Sequence, residues 1–308
     1  MNDIIAGKNE IVGAPEACKN GGAGIAAEGR GAGRASALGR LFRRERDANP
    51  ERGAARMKVK LGVVGLSACA GVTTMACALA RYLANQRRHA TACVELSDGD
   101  EGLTGWNYDM MGMERRFAGR EFHSFYGRMA GGGRVGGLTN MDEGINWVLR
   151  LPGEGEAALD AQQLTSLVNN VAGDVTVCDF SARLGFGVEE PSARRELLMR
   201  LLKEMDLLVC MVNPSPSKLL GGAGRLGMLK EMEMGGHRVL YAVNMFCKGV
   251  NRKELMGFLR PRACCHVPEI PLVELLEAEY NCKNPYQAAG VKAAMTDMIE
   301  IVLKELGF

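Results

Sequence analysis

The feature that most restricts this chain is the run at residues 58–65 (KVKLGVVG) together with the segment directly after it. A β-rich stretch passes through the small-residue loop Gly65-Leu66-Ser67-Ala68-Cys69-Ala70-Gly71 straight into a helical pattern. In that pattern Met75, Ala78, Leu79, Tyr82 and Leu83 recur at i, i+3, i+4, i+7 and i+8, one apolar face of a helix. The alternation continues downstream. Residues 90–96, 174–180, 207–212, 238–244 and 263–267 read as strands. A helix after Pro191 buries Leu197, Leu198, Leu201, Leu202 and Met205; others start near Ser217 and cover 252–259. The run LLVCMV at 207–212 is apolar at every position, as expected of a strand covered on both faces. Strands separated by helix-length segments predict βαβ units and a doubly wound, mostly parallel α/β sheet.

The chain of 308 residues is 47% hydrophobic and 24% charged, enough apolar material for one large domain or two small ones. Residues 1–57 stand apart: rich in Gly, Ala, Arg and Glu and short of apolar periodicity, they are expected to form a disordered tail ahead of a domain at 58–308. Within the tail, the basic segment 34–46 carries Leu38, Leu41 and Phe42 on one side and arginines on the other. It is either a solvated linker or a weak contact for an anionic membrane or nucleic acid. The net charge of +2 argues against a nucleic-acid coat protein. No membrane-length apolar run and no secretory signal is visible. The scattered cysteines, among them Cys93, Cys178 and Cys210 inside apolar runs, read as reduced residues of a cytoplasmic protein. Around 99–155 the alternation breaks down. An insertion or small antiparallel edge is expected there, with strands at 121–126 and 145–151. The amphipathic C-terminal segment 291–308 carries Asp297, Glu300 and Glu305, so core packing is expected rather than a membrane anchor.

In an open α/β sheet, ligands sit beyond the carboxyl ends of the strands, which directs attention to the loop after the first strand. Small residues let its backbone present N–H groups to an anion, and the helix starting near Val72 adds its dipole. Thr73 stands where a phosphate loop needs a hydroxyl for magnesium.

This loop resembles the deviant Walker A motif of the MinD/ParA ATPases, Lys-Gly-Gly-x-Gly-Lys-Thr-Thr, with Gly71, Thr73 and Thr74 matching. Further segments come in the family's order: Val175–Asp179 is similar to its Walker B strand, 206–214 to its fourth core strand and 239–244 to its fifth. Glu279-Tyr280-Asn281 is similar to its late helix. The resemblance implies that ATP binds at Gly71, Val72, Thr73 and Thr74, that Thr73 and Asp179 (through water) hold Mg, and that Asn244 sits at the adenine-contacting position. It also implies a homodimer, whose crossing lysine is missing here. The chain departs from the motif at both lysines, which fall on Ser67 and Val72, and at the catalytic carboxylate of the second strand, where Ser97 comes after Glu95-Leu96. A degenerate member of this kind is expected to bind nucleotide while hydrolysing it slowly at most. Asp98 or Asp100 stands near enough to replace the carboxylate after a register shift, and Arg183 or Lys218 to replace a cation.

Duller readings exist for the same residues. The loop could be an ordinary tight turn, Asp179 a turn cap and Asn244 a strand-end residue, leaving a pseudo-ATPase scaffold that acts through an unknown protein partner. Cys264-Cys265-His266 with Cys282 fits no zinc template, and 131–137 is Gly-rich without the strand and helix of a dinucleotide loop. Hydrolase elbows and zincin motifs are absent from the sequence, as are the cluster-binding cysteine pairs of reductases with a related fold.

Overall fold

The computed structural model describes residues 58–96, 105–154, 159–180 and 192–308, with backbone alone for 192–195. The tail at 1–57, the segment 34–46, Ser97, Asp98, Asp100 and Arg183 lie outside the described residues.

Strands β1 (Val59–Gly65), β2 (Thr91–Glu95), β3 (Met141–Asp142), β4 (Ile145–Val148), β5 (Val175–Phe180), β6 (Leu207–Val212), β7 (Val239–Phe246) and β8 (Cys264–Pro268) form one sheet. Its eight strands run in the order β3-β4-β2-β5-β1-β6-β7-β8. All neighbours pair in parallel except β3 with β4. The helices are α1 (Val72–Asn85), α2 (Trp106–Met110), α3 (Met113–Arg116), α4 (Phe125–Ala130), α5 (Ala161–Asn170) and α6 (Ser192–Lys203). After them come α7 (Pro216–Gly221), α8 (Ala223–Met234), α9 (Arg252–Leu259), α10 (Leu272–Tyr280) and α11 (Ala289–Leu306).

Each strand of a sheet buried on both sides sends alternate residues to opposite faces. Leu61, Val63, Val177 and Val209 pack with α1 and α11 on one face. Val64, Cys178, Phe180, Leu208 and Cys210 pack with α4, α5, α6, α8 and α9 on the other. Gly62 on β1 is required by close approach, because a Cβ there would stand 2.7 Å from the Leu208 side chain and 2.9 Å from that of Met205.

The antiparallel edge expected in the insertion is the hairpin β3–β4. Its turn residues Glu143 and Gly144 both have positive φ (51° and 81°), the backbone that matches strand twist in a two-residue hairpin. The strand expected at 121–126 does not form. Asn140, wholly buried, accepts from the His123 backbone N–H through Oδ1 (2.7 Å) and donates from Nδ2 to the His123 carbonyl (3.0 Å). Those backbone groups are therefore unavailable to a ladder, and the Ser124 hydroxyl, accepting from the Gly127 N–H (2.8 Å), starts α4 instead.

Cys93, Cys178 and Cys210 are buried, and on β8 Cys264 and Cys265 lean toward opposite faces of the sheet. No group of His, Cys, Asp or Glu among the described residues could hold a metal by clustering alone. No described helix is long and apolar enough to cross a membrane. Helix α11 buries Val291, Met295, Met298, Ile299, Val302, Leu303 and Leu306 against the sheet, as its amphipathic pattern predicts.

Ile299 is fully buried, whereas Ile301 in the same helix is 40% exposed. Ile299→Ala is therefore expected to cost about 2–5 kcal/mol, and Ile301→Ala no more than about 0.5 kcal/mol. Urea unfolding with unchanged slope checks both.

Candidate functional site

The parallel register places the ends of β2, β5 and β1 side by side: Glu95 is level with Asp179, and Asp179 with Val63. Beyond β1 the chain turns through Leu66–Gly71 into α1. Two turn residues adopt the left-handed region, Cys69 (φ 59°) and Gly71 (φ 90°, ψ 29°), which caps the N-terminus of α1. Gly71 is needed for two reasons, its backbone and its neighbour: a Cβ there would lie 2.6 Å from the Asn244 amide nitrogen.

Asn244 closes the loop from the end of β7. Its Nδ2 donates to the Ala70 carbonyl (3.0 Å), while its Oδ1 accepts from the Met245 N–H (2.9 Å). It is buried, and the contact links residues 174 positions apart. Asn244 thus lies against the loop, at the position the resemblance assigns to base contact.

Thr73 and Asp179 meet. The Thr73 hydroxyl lies near the Asp179 carboxyl at the foot of the loop and favours its ionised form. Asp179 is 3% exposed, and its Oδ1 has no hydrogen-bond partner. Burial pushes its carboxyl up to about 7, the Thr73 hydroxyl opposes this, and the nearby Glu95 charge adds to it. Ser67, which the resemblance sets at a lysine position, is also buried with an unpartnered hydroxyl. Val72, on the other, is a core residue of α1 at 4% exposure. Thr74, half-buried, completes the first turn of α1.

Among the described residues, Lys218 makes no side-chain hydrogen bond or ion pair, so nothing ties it to the loop. Arg225 of α8 reaches it instead, donating from Nη1 to the Gly65 carbonyl (3.1 Å). The backbone at Gly222, between α7 and α8, lies close enough to the Leu66 carbonyl that a Cβ would stand 2.5 Å from it. On the β2 side, Glu95 is buried and its Oε2 accepts from the Arg150 N–H (3.1 Å). The Tyr126 hydroxyl donates to the Glu95 backbone carbonyl, and the Arg150 guanidinium lies 4.3 Å above the Tyr126 ring. Sequence pattern alone did not single out Arg225, Arg150 or Tyr126. The available signal was an arginine among apolar neighbours, as in Trp147-Val148-Leu149-Arg150-Leu151.

Because the native carboxyl of Asp179 holds its proton to about pH 7 while the unfolded one releases it near 3.8, the stability tied to that proton is present at low pH and lost as pH rises through 7. Asp179→Asn removes the cost of the buried charge. Its Tm is expected to exceed the parent's by on the order of 5 °C at pH 8 and by less at pH 5, read by calorimetric melts.

No family model matches the sequence, and no curated protein matches it either. Solved structures do match by fold. The MinD of the Aquifex aeolicus MinC:MinD cell division complex superposes with a TM-score of 0.60 at 14% identity, covering 80% of this chain and 96% of that one. Septum site-determining MinD of Pyrococcus horikoshii OT3, complexed with Mg-ADP, gives 0.59 at 14% identity over 82% and 99%. A ParA family ATPase of Chlorobium tepidum gives 0.57 at 16% identity over 80% and 98%. The chain has the P-loop fold shared by the MinD and ParA ATPases.

Proposed function

We propose that this chain is a nucleotide-binding switch of the MinD/ParA type, working in positioning, assembly or regulation, that takes Mg-ATP at the loop after β1 and hydrolyses it slowly or not at all. The observation that carries the reading is the Thr73–Asp179 pair at the foot of a left-handed glycine loop, with the Asp179 Oδ1 left without a partner. An orphaned, buried carboxylate oxygen beside a hydroxyl suits a hydrated divalent cation. The unpartnered Ser67 hydroxyl and the N-terminus of α1 suit an anion. In this reading the backbone N–H groups of Gly71, Val72, Thr73 and Thr74 hold phosphate, Thr73 and Asp179 hold Mg through water, and Asn244 faces the base. Magnesium would supply the positive charge that screens the phosphates. The MinD of P. horikoshii with Mg-ADP and a Borrelia burgdorferi plasmid partition protein with AMPPNP have the same fold and support the assignment.

Slow turnover is expected from the chemistry of the missing groups. Phosphoryl transfer depends on positioning and on stabilising charge, and a serine and a buried valine stand where the motif has cations. A homodimer is part of the same reading, as is a protein partner; the match to a MinC:MinD cell division protein complex from Aquifex aeolicus supports the partner.

A second reading, a scaffold that has lost its ligand, is favoured by one contact. The Asn244 amide already satisfies the Ala70 carbonyl, so the loop is held closed by the chain itself. Titration calorimetry with Mg-ATP separates the two. Micromolar binding that Thr73→Ala and Asp179→Ala both weaken is the expected result; no heat up to millimolar ATP, from a folded protein, points to the scaffold. Mg-dependent affinity is also expected to rise from pH 6 to pH 8, because Asp179 must release its proton near 7 before it can serve the cation. Gly71→Ala is expected to abolish binding and to cost about 1–3 kcal/mol of stability, since it combines a left-handed backbone with a clash on Asn244.

A further inference from the structure

Among the described residues, Arg150 is a buried charge without a counter-charge. It is 4% exposed, and a guanidinium stays charged in proteins. Buried charges are ordinarily paired, because removal from water costs more than packing returns. Two other arginines with little exposure obey this: Arg81 pairs with Glu143, and Arg116 with Asp142 (3.1 Å). Arg150 does not. Its Nε is buried without a partner, and its guanidinium has neither a carboxylate nor a hydrogen-bond acceptor among the described residues. Only the face of Tyr126, 4.3 Å away, receives it.

Its position is set from two sides. Arg150 lies just past β4, at the carboxyl edge of the sheet, and its backbone N–H is tied to the Glu95 carboxylate (3.1 Å). Glu95 is level with Asp179, and the Tyr126 hydroxyl donates to the Glu95 backbone carbonyl, which fixes the ring that receives Arg150. Three unpartnered buried polar atoms therefore belong to one edge: Arg150 Nε, Asp179 Oδ1 and Ser67 Oγ. Eight further unpartnered buried atoms lie elsewhere among the described residues, so it is the position of these three, at the carboxyl ends of the strands and in the loop after β1, that suits a polar ligand.

We propose that Arg150 is the cationic half of a phosphate subsite at this edge, meeting the terminal phosphate of a bound nucleoside triphosphate and supplying charge that Ser67 and Val72 cannot. The inference rests on the nucleotide reading and extends it to the residue that takes over from the motif lysines. It also gives the insertion a task, since β4 delivers Arg150 and α4 delivers the ring beneath it. A guanidinium seated over an aromatic ring can still offer N–H groups to phosphate oxygens, which it binds more strongly than a neutral donor does.

Arg150→Met tests this, because a methionine keeps the packing on Tyr126 and removes the charge. A buried charge without a counter-charge among the described residues destabilises the ligand-free protein, so the variant's Tm without ligand is expected to equal or exceed the parent's. Its Mg-ATP affinity is expected to fall roughly tenfold or more, with Mg-ADP affinity changing much less, so that the preference for ATP over ADP collapses. Arg150→Lys should recover part of that preference. A lower ligand-free Tm in Arg150→Met with an unchanged ATP/ADP ratio overturns the proposal and leaves the nucleotide reading standing. A parent protein that binds neither Mg-ATP nor inorganic phosphate overturns both. An Arg150-dependent melting shift with inorganic phosphate, and none with Mg-ATP, keeps the subsite, assigns it to free phosphate and removes the nucleotide.

Discussion

The parallel alignment of β1 between β5 and β6 is the constraint on which everything else depends. It sets Val63 beside Asp179 and brings the carboxyl ends of the three strands to one edge. With both faces covered by helices, a side chain at that edge is either apolar or committed to a partner. Asp179 is the exception: its Oδ1 has no hydrogen-bond partner among the described residues, and it stands level on β5 with a second buried carboxylate, Glu95 on β2, which accepts from the Arg150 N–H. Desolvation and mutual repulsion hold the Asp179 proton up to about 7, so the site has a neutral and an ionised form near physiological pH. A sheet arranged for packing alone would have no use for such a pair. Stability given up at one edge is common where that edge binds something.

The phosphate-type loop is maintained by a long-range contact. Gly71 can adopt its left-handed backbone unaided, but what determines the shape of the loop is the Asn244 amide on the Ala70 carbonyl. The same amide fills the space a Cβ at position 71 would occupy. Arg225 and Gly222 brace the start of the loop from α8 and the α7–α8 junction, at the Gly65 and Leu66 carbonyls. The loop is thus held by elements that come after β6 and β7, far along the chain. Substitutions at Arg225 or Gly222 act on the loop through its geometry.

Much of this is legible in advance because it is written in local pattern. The strand at Val59–Gly65, the helical stripe from Met75 to Leu83, the wholly apolar Leu207–Val212 and the amphipathic α11 each arise from periodicities of two or 3.6 residues. The segment at 121–126 departs from its pattern for an instructive reason. Its apolar residues suit a strand, yet the buried side chain of Asn140 takes both backbone groups of His123, and Ser124 favours a helix start. A competing partner in the middle of the segment outweighs its propensity, and no window of neighbouring residues contains that partner.

Residue type and spacing along the chain were enough to specify the doubly wound sheet, the loop after its first strand, and a hydroxyl at 73 matched to a carboxylate at 179. Which charges meet that loop was settled in three dimensions. Lys218 was as good a candidate cation as any by position in the chain, but it makes no side-chain hydrogen bond or ion pair among the described residues. Among the described residues it is Arg225, from a helix, that reaches the loop, at the Gly65 carbonyl, while Arg150 of the insertion is tied to Glu95. Burial and charge pairing are set by distances through space, and in a parallel sheet residues that share an edge stand dozens of positions apart in the chain.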